Sequence, residues 1–267
     1  LYKGLNFLTS LSDETKFGLW FILPYNSAMK CTSYDECVEQ YNQEIRNLWK
    51  PVFENATIPT ENTNVKFKQF CFHVKQDESP IWFFGMNPSL PRPLKEIFNP
   101  DNDLTDNLIY DLKVEQEEMH GELQYFLKAI EFFENEVESP KSVVPIFHDL
   151  YPVRHTNQKE FVKFLEDNAD FRKKLDEATK NLIDGIMPDI IVIANAKASE
   201  LMQKIFFGES EAEKIKLKRK TKCTYRLNGQ KTEMIFSSML SGQRALDTYS
   251  RSRLAREISK TWKDRNN

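Results

Sequence analysis

Glycine is scarce in this chain, and the motifs that depend on it are missing. Only 8 of the 267 residues are glycine, and neither the phosphate loop ending in Gly-Lys-Ser/Thr nor the Gly-x-Gly-x-x-Gly dinucleotide motif occurs. The Gly-x-Ser-x-Gly elbow and the His-Glu-x-x-His zinc motif are also absent. These absences leave little material for binding a nucleotide cofactor and favour a reaction that needs no cofactor.

Cysteine and histidine are few as well. The four cysteines are Cys31, Cys37, Cys71 and Cys223. None of them forms a Cys-x-x-Cys pair, so the sequence predicts no metal site and agrees with a reducing compartment. Among the four histidines, only His148 and His155 lie close in sequence, at the end of an apolar run. We expect them to form hydrogen bonds rather than to bind a metal.

Long apolar runs are missing too. None approaches the ~20 residues that a transmembrane helix needs. The N-terminus also lacks a basic region followed by a long apolar segment and a small-residue cleavage site. We therefore expect a soluble, cytoplasmic protein that does not associate with a membrane.

The most informative segment is an apolar run at 81–84 that ends abruptly in Gly-Met-Asn-Pro at 85–88. The run predicts a buried strand. Gly85 can adopt a positive φ and lets a ligand approach the main chain, whereas Pro88 fixes the exit of the turn. Asn87 carries an amide that both donates and accepts hydrogen bonds. The turn is therefore suited to a site at a strand end, although Asn87 could instead cap the following segment.

Three more apolar runs end in polar residues, at 143–147, 190–194 and 233–237. Segments that predict helices separate them, and this alternation predicts right-handed parallel crossovers. The predicted fold class is α/β: a three-layer sandwich with a central, mainly parallel four-stranded sheet. Such sheets bind ligands outside the carboxyl ends of their strands. The polar residues expected to share one cleft there are Asn87, Asp149, Asn195 and Ser238.

The Gly-x-Asn-Pro turn at 85–88 resembles the first motif of the uracil-DNA glycosylase superfamily, and looks most like its single-strand-selective and mismatch-specific branches. Residues 143–154 end in Asp-Leu-Tyr-Pro-Val-Arg and are similar to the second strand of the superfamily, which runs into Asn-Leu-aromatic-Pro-x-Arg. The runs at 189–198 and 234–243 resemble the third and fourth strands, in the same order. The resemblance covers roughly residues 65–260.

The resemblance implies roles for residues on both sides of the first turn. Asn87 would orient a water molecule against the sugar carbon C1′, and the main chain around Gly85 and Met86 would contact a flipped base. A Pro- and Asn-rich loop at 90–112 is expected to cover the site, and its Phe98 would stack on the base. Alternatively, Phe98 anchors this loop to the core.

Two positions depart from the superfamily pattern. Asp149 takes the place of the usual Asn at the base edge, and an ionised carboxylate only accepts hydrogen bonds, so a base that presents an amino group would fit better than uracil. Ser237 and Ser238 stand where the superfamily has a histidine that donates to the leaving base. We expect Ser238 or a main-chain amide to support that base instead. Losing a preorganised donor typically costs ~10²–10³ in rate.

The loop after the fourth strand is where the superfamily wedges a side chain into the duplex. Leu240 or Leu246 is the candidate wedge, and the alternative is that each belongs to the core. Arg244, Arg251 and Arg253 follow in the same region.

The charge of the chain is divided between its two parts. The net charge is −3, but residues 214–267 hold 15 Lys and Arg against 4 Asp and Glu, which leaves −14 for the first 213 residues. This asymmetry predicts a nucleic-acid-binding surface. Within 214–222, the basic and apolar residues alternate, which predicts a strand with one basic face or a flexible arm; a solvated edge strand protected by lysines is the alternative. The expected nucleic-acid contacts are Lys218, Arg219, Lys220, Arg244 and Arg251.

The domain organisation is predicted as an N-terminal helical extension over 1–60 and an α/β domain over 61–267. In the extension, apolar residues at three-to-four spacing predict a helix at 33–49, with a capping box from Ser33 and Glu36. Residues 65–74 predict a strand that forms a hairpin with the run at 81–84. Further helices are predicted at 114–138, 157–186, 199–207 and 249–262.

Taken as a whole, the sequence predicts a nucleobase- and nucleic-acid-binding protein with a uracil-DNA-glycosylase-like fold. Its leading activity would be hydrolysis that excises a damaged or deaminated base from DNA, without metal or cofactor. The alternative is a catalytically inactive module of the same fold that recognises nucleic acid or a nucleotide. A third interpretation is an interaction protein whose acidic helix at 114–138 docks a partner. The missing histidine favours the inactive module, and the intact Asn-Pro turn favours the enzyme.

Overall fold

The computed structural model describes residues 31, 33–54, 79–86, 124–138, 143–152, 157–240 and 245–266. Several predictions fall outside these residues: the strand at 65–74, the loop at 90–112, and the side chains Asn87, Phe98, His155 and Arg244.

The described elements alternate between helices and strands. They are α1 (Tyr34–Glu54), β1 (Ile81–Gly85), α2 (Gln124–Glu136), β2 (Ile146–Asp149), α3 (Gln158–Asp167), α4 (Ala169–Ile186), β3 (Ile190–Ala194), α5 (Ala196–Phe207), α6 (Glu209–Leu217), β4 (Lys222–Leu227), β5 (Gln230–Ser237) and α7 (Thr248–Asn266). The strands form one sheet in the order β2-β1-β3-β5-β4, parallel except that β4 runs antiparallel to β5. The prediction of an α/β fold with a mainly parallel sheet is confirmed, but the sheet has five strands rather than four.

Helices cover both faces of the sheet. Because side chains alternate across each strand, β1 contributes to a core on each face. On β1, Trp82 and Phe84 face a core shared with α1, α3, α4 and α5. Ile81 and Phe83 face a second core shared with α2 and α7. A strand buried on both faces has a continuous apolar sequence, and for this reason β1 could be predicted from its sequence. None of the described helices is long and apolar enough to cross a membrane.

Helix α1 begins where the sequence predicts. The Ser33 hydroxyl accepts a hydrogen bond from the amide of Glu36 at 3.2 Å, which is one half of the predicted capping box. The predicted apolar face packs onto α4 and into the same core as β1. At its start, the Tyr34 ring meets the edge of Trp82 with ring centroids 6.4 Å apart. The helix of the predicted extension therefore shares one core with the sheet.

The basic segment at 214–222 differs from its prediction. Residues up to Leu217 belong to α6, a short turn follows, and β4 begins only at Lys222. The alternation suggested a strand, but only Ile215 is buried there, and Leu217 is 83% exposed. Acidic residues in the first turn of α6 and lysines in its last turn complement the helix dipole. This local charge pattern agrees with a helix, and the edge strand begins after it.

The cysteines also differ from their prediction. Cys31 and Cys37 form a disulfide with their Cα atoms 5.1 Å apart, which ties the chain before α1 to its first turns. This pairing contradicts the expectation of unpaired thiols, and the cytoplasmic location stays a prediction. The disulfide packs against Gly185 of α4, where a Cβ atom would lie 2.8 Å from the sulphur of Cys31. Glycine is therefore required at this contact between the two helices.

A carboxyl group lies in the interface between α1 and α4. Burial, together with the neighbouring charge of Glu177, raises the pKa of Glu44 to about 7. One carboxyl oxygen of Glu44 is buried without a hydrogen-bond partner among the described residues. At neutral pH, the Glu44 carboxyl therefore holds its proton more strongly in the folded protein than in the unfolded chain.

Replacing Glu44 should change how the stability depends on pH. Because the folded-state pKa lies above the ordinary value of 4.5, the stabilising contribution of this carboxyl is complete below pH 4.5 and is lost as the pH rises through about 7. We expect Glu44→Gln to raise the free energy of unfolding at about pH 8 by about 1 kcal/mol, allowing for solvent screening of the partly exposed group. Urea unfolding at several pH values measures this, with Glu39→Gln on the exposed side of α1 as the control. An identical pH dependence in the two variants would contradict it.

Candidate functional site

Four parallel strands end on one line across the sheet. The last residue of β1, Gly85, is in register with the last residue of β2, Asp149. The last residue of β3, Ala194, is likewise in register with the last residue of β5, Ser237. The two pairs lie level because the penultimate residues of β1 and β3 pair with each other. The predicted site positions at these strand ends therefore lie along one edge.

This edge also contains the point where the strand order reverses. The chain passes from β1 to β2 on one side and returns to β3 on the other side of β1. In open parallel sheets, ligands bind in the crevice outside the carboxyl ends at such a switch point. The distance from β2 to β5 is three strand spacings, about 14 Å.

The exit of β1 is held by main-chain hydrogen bonds. The amide of Leu150 donates to the carbonyl of Gly85 at 3.2 Å, and the amide of Tyr151 donates to that of Met86 at 3.0 Å. The Met86 side chain is buried in the core, so only its main chain can contact a ligand. Gly85 is an ordinary strand residue without a positive φ, which corrects one reason given for glycine there. The turn that continues into Asn87 thus starts from a fixed position.

The exit of β2 places Asp149 beside α1. Asp149 is half-buried, and its charge lies close enough to Tyr41 to raise the pKa of that phenol, which burial already raises. The Tyr151 hydroxyl donates to Asp176 of α4 at 2.7 Å. Asp176 is also paired with Arg172 at 3.4 Å. The β2 exit is therefore anchored to α4, and Asp149 remains at the edge with its carboxylate partly exposed.

His148 lies in the core rather than in the cleft. Its ring is between Trp82 and Phe84, with centroid distances of 4.8 and 5.0 Å. The side chain is 5% exposed. His148 therefore packs with the aromatic residues of β1 and does not face the strand ends.

Asn195 caps a helix at the exit of β3. Its side-chain oxygen accepts hydrogen bonds from the amides of Lys197 at 2.9 Å and Ala198 at 3.1 Å. The same oxygen lies 3.4 Å from the side-chain amide of Gln158. Asn195 is buried. Its oxygen, which the sequence suggested for substrate binding, is thus engaged by the start of α5.

A cleft of about 460 Å³ opens at the exit of β5. Its walls come from the end of β5, the residue before β4, the first turn of α5, the segment before α7 and the first half of α7. The residues that line it are Ala196, Ser199, Thr221, Ile235, Phe236, Ser237, Ser238, Leu246, Ser250, Arg253, Leu254 and Glu257. Ser238 is half-buried and forms no hydrogen bond with any described residue. Its hydroxyl is therefore free to bind a ligand in this cleft.

The loop after β5 separates the two wedge candidates. Leu240 is buried in the core between the sheet and α7, so it is not a wedge. Leu246 lines the cleft, and its amide donates to the carbonyl of Met239 at 2.9 Å. Of the two leucines, only Leu246 lies where a nucleic acid could meet it.

The arginines of this region have different surroundings. Arg251 forms an ion pair with Glu136 of α2 and lies over the Phe132 ring at 5.3 Å from its centroid. Its charge is therefore used to fasten α7 to α2. Arg253 is exposed and faces the cleft. The sequence placed both after β5, but only helix packing distinguishes the arginine that faces the cleft from the one that holds the helix.

The basic turn at 218–220 adjoins the same edge of the sheet. Lys218, Arg219 and Lys220 are exposed and form no ion pair with any residue in the described ranges. The next residue, Thr221, lines the cleft, and its carbonyl accepts from the amide of Phe236 at 2.7 Å. The three predicted nucleic-acid contacts therefore lie beside the strand ends.

No protein-family model matches the chain, and no curated protein matches it.

Asn195 offers a test that separates capping from ligand binding. Asn195→Ala should lower the free energy of unfolding by about 1 kcal/mol, because two amides at the start of α5 lose their acceptor. Asn195→Asp keeps an acceptor oxygen and should unfold like the wild type in urea. If Asn195→Ala is as stable as the wild type, the cap is not a stabilising contact.

Proposed function

We propose that the protein binds a flipped nucleobase of DNA at this edge and hydrolyses its bond to the sugar, as a uracil-DNA-glycosylase-like enzyme. The observation that carries the proposal is the common line on which β1, β2, β3 and β5 end. It supports the proposal because the ends of these four strands lie at one edge, beside a cleft and an exposed basic turn. An enzyme that acts on a base must take it out of the duplex into such a pocket.

Asn87 is the residue proposed to position the attacking water. It follows Met86 directly, and the Met86 carbonyl is held by the amide of Tyr151. In the reaction, the water oxygen adds to C1′ while the bond from C1′ to the base nitrogen breaks, and the electron pair of that bond leaves with the base. The water loses one proton as the C1′ hydroxyl forms, and a proton from solvent neutralises the released base. Aligning water with that carbon is worth a large part of the rate.

Asp149 and Ser238 are proposed to act on the base. The Asp149 carboxylate accepts hydrogen bonds only, so it favours a base whose edge presents an amino group. Ser238 comes two strands away from β1, about 10 Å along the edge, and its hydroxyl would donate to the charge that develops on the leaving base. No metal or cofactor takes part in these steps.

Arg253 and the basic turn at 218–220 are proposed to bind the phosphates next to the flipped nucleotide. They are exposed, they lie at the cleft or beside it, and they have no ion-pair partner in the described part of the chain. Arg251, paired with Glu136, contributes less to phosphate binding than its position in the sequence suggests.

The second candidate is a binding module with the same cleft but no hydrolysis. Ser238 favours it, because a hydroxyl in place of imidazole is a weaker donor to a departing anion. In this case the cleft recognises a base or a nucleotide, and the basic surface holds the rest of the nucleic acid.

The first test of the hydrolase concerns Asn87. The wild type should release a damaged or deaminated base slowly and leave an abasic site, which alkaline strand cleavage detects. A chelator should not change the rate. Asn87→Ala should reduce it by at least ~10²-fold with little change in DNA affinity, because water loses its alignment while the phosphate contacts remain. Asn87→Asp is the matched control, since a carboxylate can still orient water. DNA binding without any abasic product in the wild type would favour the binding module.

The second test concerns Ser238. Ser238→His should raise the rate of base release by up to ~10²-fold, because imidazole is a stronger donor to the leaving base. Ser237→His, one residue earlier at the end of β5, is the control and should not. Single-turnover kinetics with saturating protein measures the chemical step directly. Equal rates in the wild type and Ser238→His would remove Ser238 from the proposed role.

A further inference from the structure

The cations of the C-terminal region fall into two groups. One group fastens β4, α6 and α7 through ion pairs. These pairs are Lys214 with Glu211, Lys222 with Glu257, Arg251 with Glu136, Lys263 with Glu138, and Arg265 with Asp189. The other group is exposed and forms no ion pair with a described residue. Its members on α7 are Arg253, Arg256 and Lys260.

These three cations share one side of α7. They are spaced by three and four residues, which places them on one face of a helix. The opposite face carries Leu254 and Ile258, which are buried against the sheet. The cations therefore form a stripe along the solvent side of the helix, which we call the α7 stripe.

The α7 stripe begins at the cleft and leads away from it. Arg253 lines the cleft, and Lys260 is seven residues further on, about 10 Å along the helix axis. Glu257 lies beside the stripe, but its charge is paired with Lys222 at 3.0 Å. Asp264 is exposed one turn after Lys260, and its negative charge marks the end of the positive stripe. The positive surface is thus continuous from the cleft to the middle of α7.

We infer that the α7 stripe binds the backbone of a nucleic-acid strand that leaves the cleft, so that the ligand is a polymer rather than a free nucleotide. This inference rests on the proposed function and adds the surface that holds the strand outside the cleft. Phosphates recur about every 3.4 Å along one strand of a duplex, so a stripe of about 10 Å faces roughly three of them. A mononucleotide carries a single phosphate group, which Arg253 at the cleft can bind, whereas Arg256 and Lys260 are left for the further phosphates of a longer strand. Cations without protein partners are the ones that release counterions on binding phosphate.

The experiment compares a long and a short ligand on the same variant. The double variant Arg256→Ala with Lys260→Ala should bind a fluorescent single strand of about 20 nucleotides roughly tenfold more weakly than the wild type at low salt. The log–log salt slope should become shallower by about 1.4, or ~0.7 for each lost phosphate contact on a single strand. Its affinity for deoxycytidine monophosphate should equal that of the wild type. Fluorescence anisotropy, with the mononucleotide as a competitor, measures both affinities.

Two further variants control the comparison. Lys174→Ala removes an exposed lysine of α4, on the other side of the sheet, and should bind both ligands like the wild type. The triple variant of Lys218, Arg219 and Lys220 to Ala tests phosphate binding beside the cleft independently of α7. Thermal unfolding checks that every variant is folded, which we expect because all the changed side chains are exposed.

The outcomes separate this inference from the proposed function. If the triple variant loses affinity for the long strand while the α7 variant keeps the wild-type affinity and salt slope, the stripe is not a binding surface and the proposed function stands. If the wild type binds neither the strand nor the mononucleotide, both fail. Binding to anionic vesicles that depends on the stripe, without binding to the strand, would overturn a nucleic-acid partner in favour of a membrane surface.

Discussion

The pairing of β1 on both sides is the constraint on which the site depends. β1 lies between β2 and β3 in parallel register, and its side chains enter the cores on both faces of the sheet. A shift of β1 by one residue would move every apolar side chain to the wrong face. The exit at Gly85 and Met86 is therefore fixed by the whole core, and so is the direction in which the chain enters the Asn-Pro turn.

The cationic side chains around this sheet differ in whether a carboxylate lies close enough to form an ion pair. Ion pairs join α7 to α2 through Arg251 and to β4 through Lys222, and these pairs hold the walls of the cleft. Among the cations left without an ion-pair partner in the described ranges are those of the basic turn and of the α7 stripe. Because isolated exposed charges stabilise the fold little, their concentration next to the strand ends supports a role in binding a polyanion.

The sequence by itself determined four of the five strands of the sheet, most of the described helices and the positions of the strand exits. Apolar runs that end in polar residues identified β1, β2, β3 and β5, and three-to-four spacing identified α1. These patterns are sufficient because burial on a strand or a helix repeats with the geometry of the element. The convergence of strand exits on one edge also followed, because parallel strands share a carboxyl edge.

Only the tertiary structure decided what each polar residue does at that edge. Asn195 caps α5 and Arg251 pairs with Glu136, although the sequence offered both as ligand contacts. Arg253, which was not among the predicted contacts, faces the cleft. The basic segment before β4 became a helix because only Ile215 among its apolar residues is buried. The contact of the Cys31–Cys37 disulfide with Gly185 likewise joins segments far apart in sequence. A local pattern shows which side chains are polar or charged. Their partners, however, come from elements that are distant in sequence and are brought together by packing on the sheet. A group that finds such a partner is engaged, and a group that finds none remains free to bind a ligand.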